Sequence, residues 1–159
     1  MTAPRRWAAV LAVLMAASGC SSQAMLFIKD TRVHIVQPTE NSRHSLPLHL
    51  QWTGNNVAGA RYALFFDSPP VRPGQSLLSL VDKQDPCRAD NSCLGSSSLT
   101  DKYVFVTKAT HLDVDLLPDR RKSHSSLDDH LLTIVMVDGA GRRIGEAAYL
   151  RTFTLDRTR

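Results

Sequence analysis

The chain has 159 residues, 43% of them hydrophobic, 21% charged and 6% aromatic, and a formal net charge of +4. That length builds one domain with a real core and excludes a multidomain machine, while eight Gly and eight Pro exclude collagen-like and disordered compositions. Three cysteines are too few for a disulfide-built miniprotein, and an odd count leaves at least one with a role other than pairing within the chain.

Residues 1–19 open on a basic stretch with Arg5, Arg6 and Trp7, run through apolar residues 8–17 and end on Ser18-Gly19. This is the pattern of a secretory signal; about ten apolar residues are too few for a membrane-spanning helix, which needs about 20. Ala17-Ser18-Gly19-Cys20 resembles the lipobox of bacterial lipoproteins, with Ala17 where that family favours Leu. The resemblance implies cleavage before Cys20 and coupling of its thiol to diacylglycerol, so that a cell-envelope protein is held at a membrane by its first mature residue. An Asp after the Cys tends to retain members of that family in the inner membrane; Ser21 stands here, which implies the outer membrane, facing the periplasm or the surface. The alternative is an ordinary cleaved signal in which Cys20 is incidental. Removing the signal takes Arg5 and Arg6 from the 19 basic side chains and nothing from the 15 acidic ones, a net of about +2. The remaining basic runs, Arg120-Arg121-Lys122 and Arg142-Arg143, lie among Asp113, Asp115, Asp119, Asp128 and Asp129. They read as a solvated face, and a nucleic-acid partner is not expected.

Residues 20–31 read as the acylated tether and 32–159 as one domain of short β-branched and aromatic runs separated by Pro, Gly, Asn and Asp. That rhythm predicts an all-β sandwich or barrel. Val33-His-Ile-Val-Gln37 is the first strand. Leu46, Leu48, Leu50 and Trp52 alternate with His49 and Gln51, which sets the four apolar residues on one face. Arg61-Tyr-Ala-Leu-Phe-Phe66 follows, then shorter runs at 77–81 and 103–107. Leu112, Val114 and Leu116 alternate with Asp113 and Asp115. Leu131-Leu-Thr-Ile-Val-Met-Val137 is apolar enough for a central strand and meets the turn signal Asp138-Gly139; residues 147–155 supply the last strand. No helical period appears beyond Val33.

Pro38-x-x-Asn41, Leu46-Pro-Leu-His-Leu-Gln-Trp52 and Ala60-Arg-Tyr62-Ala-Leu-Phe together resemble the first three strands of fibronectin type III-like and bacterial immunoglobulin-like domains, where a core Trp ends the second strand and a Tyr marks the third. His111-Leu-Asp-Val-Asp-Leu-Leu117-Pro118 resembles their fifth strand, and His130 through Asp138-Gly-Ala-Gly141 their sixth strand and hairpin. The resemblance implies a two-sheet antiparallel β-sandwich, of a kind that serves as spacer, adhesin, glycan binder or assembly adaptor. It also marks departures: an insertion at about 82–102, a long polar loop at 119–129, and no corner tyrosine, whose place His130 takes.

Cys87 and Cys93 are separated by five residues in a Pro- and Ser-rich stretch, and export puts them where disulfides form. A bridge that short stabilises by about 2–2.5 kcal/mol through loop-closure entropy and pins a loop. A metal reading of the pair is the alternative, though no His lies near it in sequence. Ser123, His124, Ser125, Ser126, Asp128, Asp129 and His130 nominally hold a hydrolytic Ser, a His and a carboxylate, but no G-x-S-x-G elbow surrounds any serine. As metal ligands, His124, Asp128 and His130 would need the loop to fold back. Among the aromatics, Phe65 points away from Tyr62, Leu64 and Phe66, which makes it the one candidate for an exposed sugar-stacking surface.

These readings predict a non-catalytic envelope module without cofactor, bound to the membrane by lipid at Cys20 and to an envelope protein partner through loops 69–74, 82–102 and 119–129. Arg72, Arg88, Asp90, Arg120, Arg121 and Arg142 are the candidate contact residues. A module for glycan or peptidoglycan is the alternative, and a hydrolase or metal-binding protein a weaker one.

Overall fold

The computed structural model describes residues 31–54, 57–88, 92–121 and 125–158. The signal at 1–19, Cys20, most of the tether, Asp90 and His124 lie outside the described residues.

Among the described residues, eight strands form two sheets. β1 (Val33–Gln37), β3 (Leu48–Gly54) and β6 (His111–Val114) make one, in the order β1-β3-β6. The other runs β2-β8-β7-β4-β5, from β2 (Ser42–His44), β8 (Tyr149–Asp156), β7 (Leu127–Val137), β4 (Arg61–Phe66) and β5 (Val104–Thr107). Pairing is antiparallel except between β2 and β8, which run parallel, so the arrangement departs from a wholly antiparallel one at that edge. β7 is central, as its apolar run predicts.

The expected alternation in β3 holds: Leu48, Leu50 and Trp52 are buried and His49 and Gln51 exposed. With Val33, Ile35 and Val114 they meet Tyr62, Leu64, Phe66, Leu132, Ile134, Met136, Phe153 and Leu155 from the five-stranded sheet, and this is the core between the sheets. Trp52 and Tyr62 pack edge to face across it at 5.5 Å. The alternation around β6 stops short of prediction. The strand ends at Val114, Leu116 turns out to solvent at 66% exposure, and Leu117 is buried in its stead.

A second core lies on the outer face of the five-stranded sheet. There Ala63, Phe65, Val104, Val135 and Val137 are covered by Val71, Leu77, Val81, Cys93, Leu94 and Leu99. Phe65 does point away from Tyr62 and Leu64, but the chain between β4 and β5 closes over it and leaves it 1% exposed. β4 is therefore buried on both faces, as strands between two covering layers are. The covering segment also holds what helix the described residues contain: 3-10 turns at Leu77–Leu80, Pro86–Arg88 and Ser92–Gly95, and α1 (Ser97–Thr100). The run at 77–81 is thus a helical turn, capped by the Ser76 hydroxyl accepting from Leu78 N–H, and not a strand.

The strands define two ends. The chain enters β1 at Val33, opposite Gly54 and beside the β5–β6 and β7–β8 connections; this is the tether end. The 67–70 turn, the β6–β7 connection and the C-terminus gather at the far end.

Candidate functional site

At the far end, the extension of β7 below Leu131 brings polar residues into the fold. Asp128 and His130 share the parity of Leu132 and point inward; both are buried, whereas Asp129 between them is exposed. The stretch that reads as polar loop is therefore strand from Leu127 onward. His130 stacks on Phe153 at 5.5 Å. Its Nδ1 lies 2.6 Å from Asp67 Oδ2, and because a carboxylate only accepts, Nδ1 carries the hydrogen and donates. Asp67 Oδ1 accepts from Leu131 N–H at 2.8 Å and faces Arg120 Nη1 at 3.2 Å. Burial pushes the Asp67 carboxyl up, but the hydrogen bonds from His130 and Leu131 and the charges of His130 and Arg120 outweigh it and hold the group below its ordinary value. Asp67 sits at φ +55°, a left-handed conformation that Asp tolerates better than most residues.

The other side of the imidazole faces a second carboxylate. Nε2 lies 3.1 Å from Asp128 Oδ2 but off hydrogen-bonding alignment, so that contact is electrostatic. Asp128 Oδ2 accepts instead from Arg120 N–H at 3.0 Å and Arg157 Nε at 2.9 Å, while Arg157 Nη2 donates to the carbonyls of Leu117 and Pro118. Asp67, His130, Asp128 and Arg157 thus tie β4, β7, the β6–β7 connection and the C-terminal residues together. The imidazole is fully enclosed and both its nitrogens face carboxylates, so it presents no base to a substrate. Ser125 is engaged locally, its hydroxyl donating to Leu127 C=O and accepting from Leu127 N–H.

Beside this network an open groove of about 890 Å³ runs along the part of the five-stranded sheet that the covering segment leaves bare. Its walls include Asn41, Arg43, Thr154, Asp129, Ser125 and Arg120. Arg43, Thr154 and Asp129 form one cross-strand row, in which the Thr154 hydroxyl donates to Asp129 at 2.8 Å. Arg43 is exposed, makes no ion pair among the described residues, and also borders a hollow of about 590 Å³ with His44 and Asp156. Burial holds His44 below its ordinary value.

No family model, curated protein or solved structure matches this chain.

The six candidate contact residues do not meet in one place. Arg120 and Arg121 flank the groove end but are spent on carboxylates: Arg120 on Asp67, and Arg121 on Asp119 in a fork with contacts of 2.6–3.1 Å that holds the Asp119 carboxyl at about 2. Arg88 lies on the covering segment and donates to Val81 C=O at 3.3 Å. Asp90 lies outside the described residues. Arg72 and Arg142 meet at the tether end, where Gln75 N–H bonds Arg72 C=O and Ser76 bridges Arg142. Arg143 is not at the hairpin tip beside Arg142: it is buried, donating to the carbonyls of Val71, Glu146 and Ala147. Cys87 and Cys93 stand at disulfide distance, Cα–Cα 4.9 Å, with Cys93 fully buried in the second core. Asp85 lies close to both sulfurs, but paired cysteines offer no thiolate to a metal. Within the 82–102 insertion Cys93, Leu94 and Leu99 thus pack into the second core, while Asp82, Lys83, Gln84, Asp101 and Lys102 are exposed.

Proposed function

We propose that the protein is a membrane-anchored cell-envelope lipoprotein whose single sandwich, of immunoglobulin-like or fibronectin type III-like kind, is a non-catalytic binding or assembly module. The strand order supports the finer fold assignment. β1-β3-β6 corresponds to A-B-E of an immunoglobulin sandwich and β8-β7-β4-β5 to G-F-C-C′, with the D strand missing. The lipobox-like Ala17-Ser18-Gly19-Cys20 supports the anchor.

One observation carries the functional reading: the chain enters the domain at one end, and the polar groove around Arg43 opens toward the other. A module tethered through Cys20 offers that groove away from its membrane. An envelope protein with polar, charged side chains fits walls made of Arg43, Asn41, Thr154 and Asp129 better than a glycan does. Burial of Phe65 removes the stacking surface a glycan would need, and among the described residues every aromatic side chain is buried or half-buried.

Deleting 82–102 would uncover Phe65, Val135 and Val137, so the test keeps the insertion. A photo-crosslinking residue at position 43 is compared in intact membranes with one at position 142. The expected result is a defined protein adduct from position 43 that weakens with Asp129→Lys and is absent from position 142. Cell-wall glycan captured at 43 favours the alternative; equal capture from both positions, or none, refutes the groove.

A further inference from the structure

We infer that the tether end of the sandwich docks on an anionic lipid surface through Arg72, Lys108 and Arg142, which sets the domain upright with its groove facing outward. This rests on the lipid-anchor reading and adds an orientation to it.

The tether end gathers unpaired cations on adjoining loops. In the far half, Arg120, Arg121, Arg151 and Arg157 each pair with a carboxylate, on Asp67, Asp119, Glu40 and Asp128, while the exposed Arg43 and Lys102 stand apart from one another and have no carboxylate partner among the described residues. At the tether end Arg61, Arg72, Lys108 and Arg142 have no carboxylate within ion-pair distance among the described residues, and all but Arg61 are exposed. Register places them together. Arg61 opens β4 opposite Val137, which bridges Arg143. Gly74 N–H bonds Arg143 C=O, bringing the Arg72 loop alongside, and Lys108 follows Thr107, the partner of Tyr62. On the described residues of these loops the acids are Asp138 and Glu146, and Asp138 Oδ1 is occupied by the Ala140 and Arg142 N–H groups. Val57, 40% exposed, adds an apolar side chain at the same end.

The patch is held in shape. Buried Arg143 binds carbonyls from both loops that carry Arg72 and Arg142, so the cations project from a fixed frame. Reach also fits: the twelve residues 20–31 span at most about 40 Å fully extended, so a lipid at Cys20 keeps this end within contact of the bilayer. Unpaired Lys and Arg near an anionic surface each strengthen attachment about fivefold at low salt, an attraction that ions screen within about a Debye length.

The test uses the mature chain from membranes with Val57→Cys carrying an environment-sensitive dye, on neutral phosphatidylcholine vesicles and on vesicles with added phosphatidylglycerol. Flotation with neutral vesicles reads the anchor alone. Docking predicts that a headgroup-level lipid quencher dims the dye on anionic vesicles and not on neutral ones. High salt and the exposed triple variant Arg72→Glu/Lys108→Glu/Arg142→Glu should abolish that dimming, and Arg43→Glu should not. Dimming that ignores headgroup charge, or survives the triple variant, overturns the docking. Failure to float with neutral vesicles overturns the anchor instead, and charge-dependent flotation with anionic vesicles then still decides the docking.

Discussion

Asp67 joins more elements of the far end than its turn position in the sequence suggests, because its two carboxylate oxygens hold β7 at His130 and Leu131 and Oδ1 also reaches Arg120 on the β6–β7 connection. Asp67→Ala leaves the enclosed His130 imidazole and the Leu131 N–H without their acceptor and is expected to cost about 3 kcal/mol. Asp67→Asn keeps an acceptor and tolerates the positive φ, so denaturant unfolding at neutral pH should show it losing distinctly less than the Ala variant. The carboxyl is held below its ordinary value when folded, so its stabilisation is present above the unfolded value near pH 4 and fades as pH falls through the lower, folded one. Unfolding midpoints of the wild type should therefore drop more steeply below about pH 4 than those of Asp67→Asn. None of this was legible locally. Asp67 and His130 are 63 residues apart and meet through the β4–β7 register, which no motif announces. The period of two that buries Asp128 and His130 and exposes Asp129 does run on below Leu131, but charged residues at those positions read as loop.

Among the elements, the segment between β4 and β5 is where function-minded reading of the sequence and the packing diverge. Its apolar residues Leu94 and Leu99 stand singly among Ser, Gly and Asp with neither helical nor strand period, so nothing in the sequence marks them as a lid over Phe65. The strands they cover were legible, because β3, β4 and β7 carry strong apolar patterns, whereas Leu-Leu-Ser-Leu at 77–80 is too short for its period to tell strand from helix. Phe65→Ala should cost about 3–5 kcal/mol, the range for a fully enclosed Phe, and not the small effect of an exposed one. The double variant Cys87→Ala/Cys93→Ala should lose about 2 kcal/mol by denaturant unfolding while keeping its strand signal in circular dichroism. Gly141 adds a local constraint: at φ +74° any side chain is strained, and a Cβ there would meet Leu94 Cδ2 at 2.3 Å. Gly141→Ala should accordingly destabilise the cover by about 2 kcal/mol or more, read as earlier exposure of the second core to a hydrophobic dye on heating.

At the scale of the whole molecule, the net charge of +4 splits into unlike parts: two charges belong to residues 1–19, and among the described residues four arginines of the far half pair with carboxylates while Arg72, Lys108 and Arg142 gather without an ion pair at the tether end. The sandwich gives these ends their separation, since β7 alone, at 11 residues, runs about 35 Å. Among the described residues no helix is long and apolar enough to cross a membrane; the attachment we propose is lipid at Cys20 together with headgroup contact. A domain held that way turns its cations to the bilayer and its groove to a partner. The most direct measurement is the intact mass and N-terminal peptide of the protein purified from its own membranes. The expected chain begins at Cys20, lacks residues 1–19 and carries diacylglycerol on the cysteine sulfur; a chain that begins elsewhere, or an unmodified Cys20, would contradict the lipid anchor.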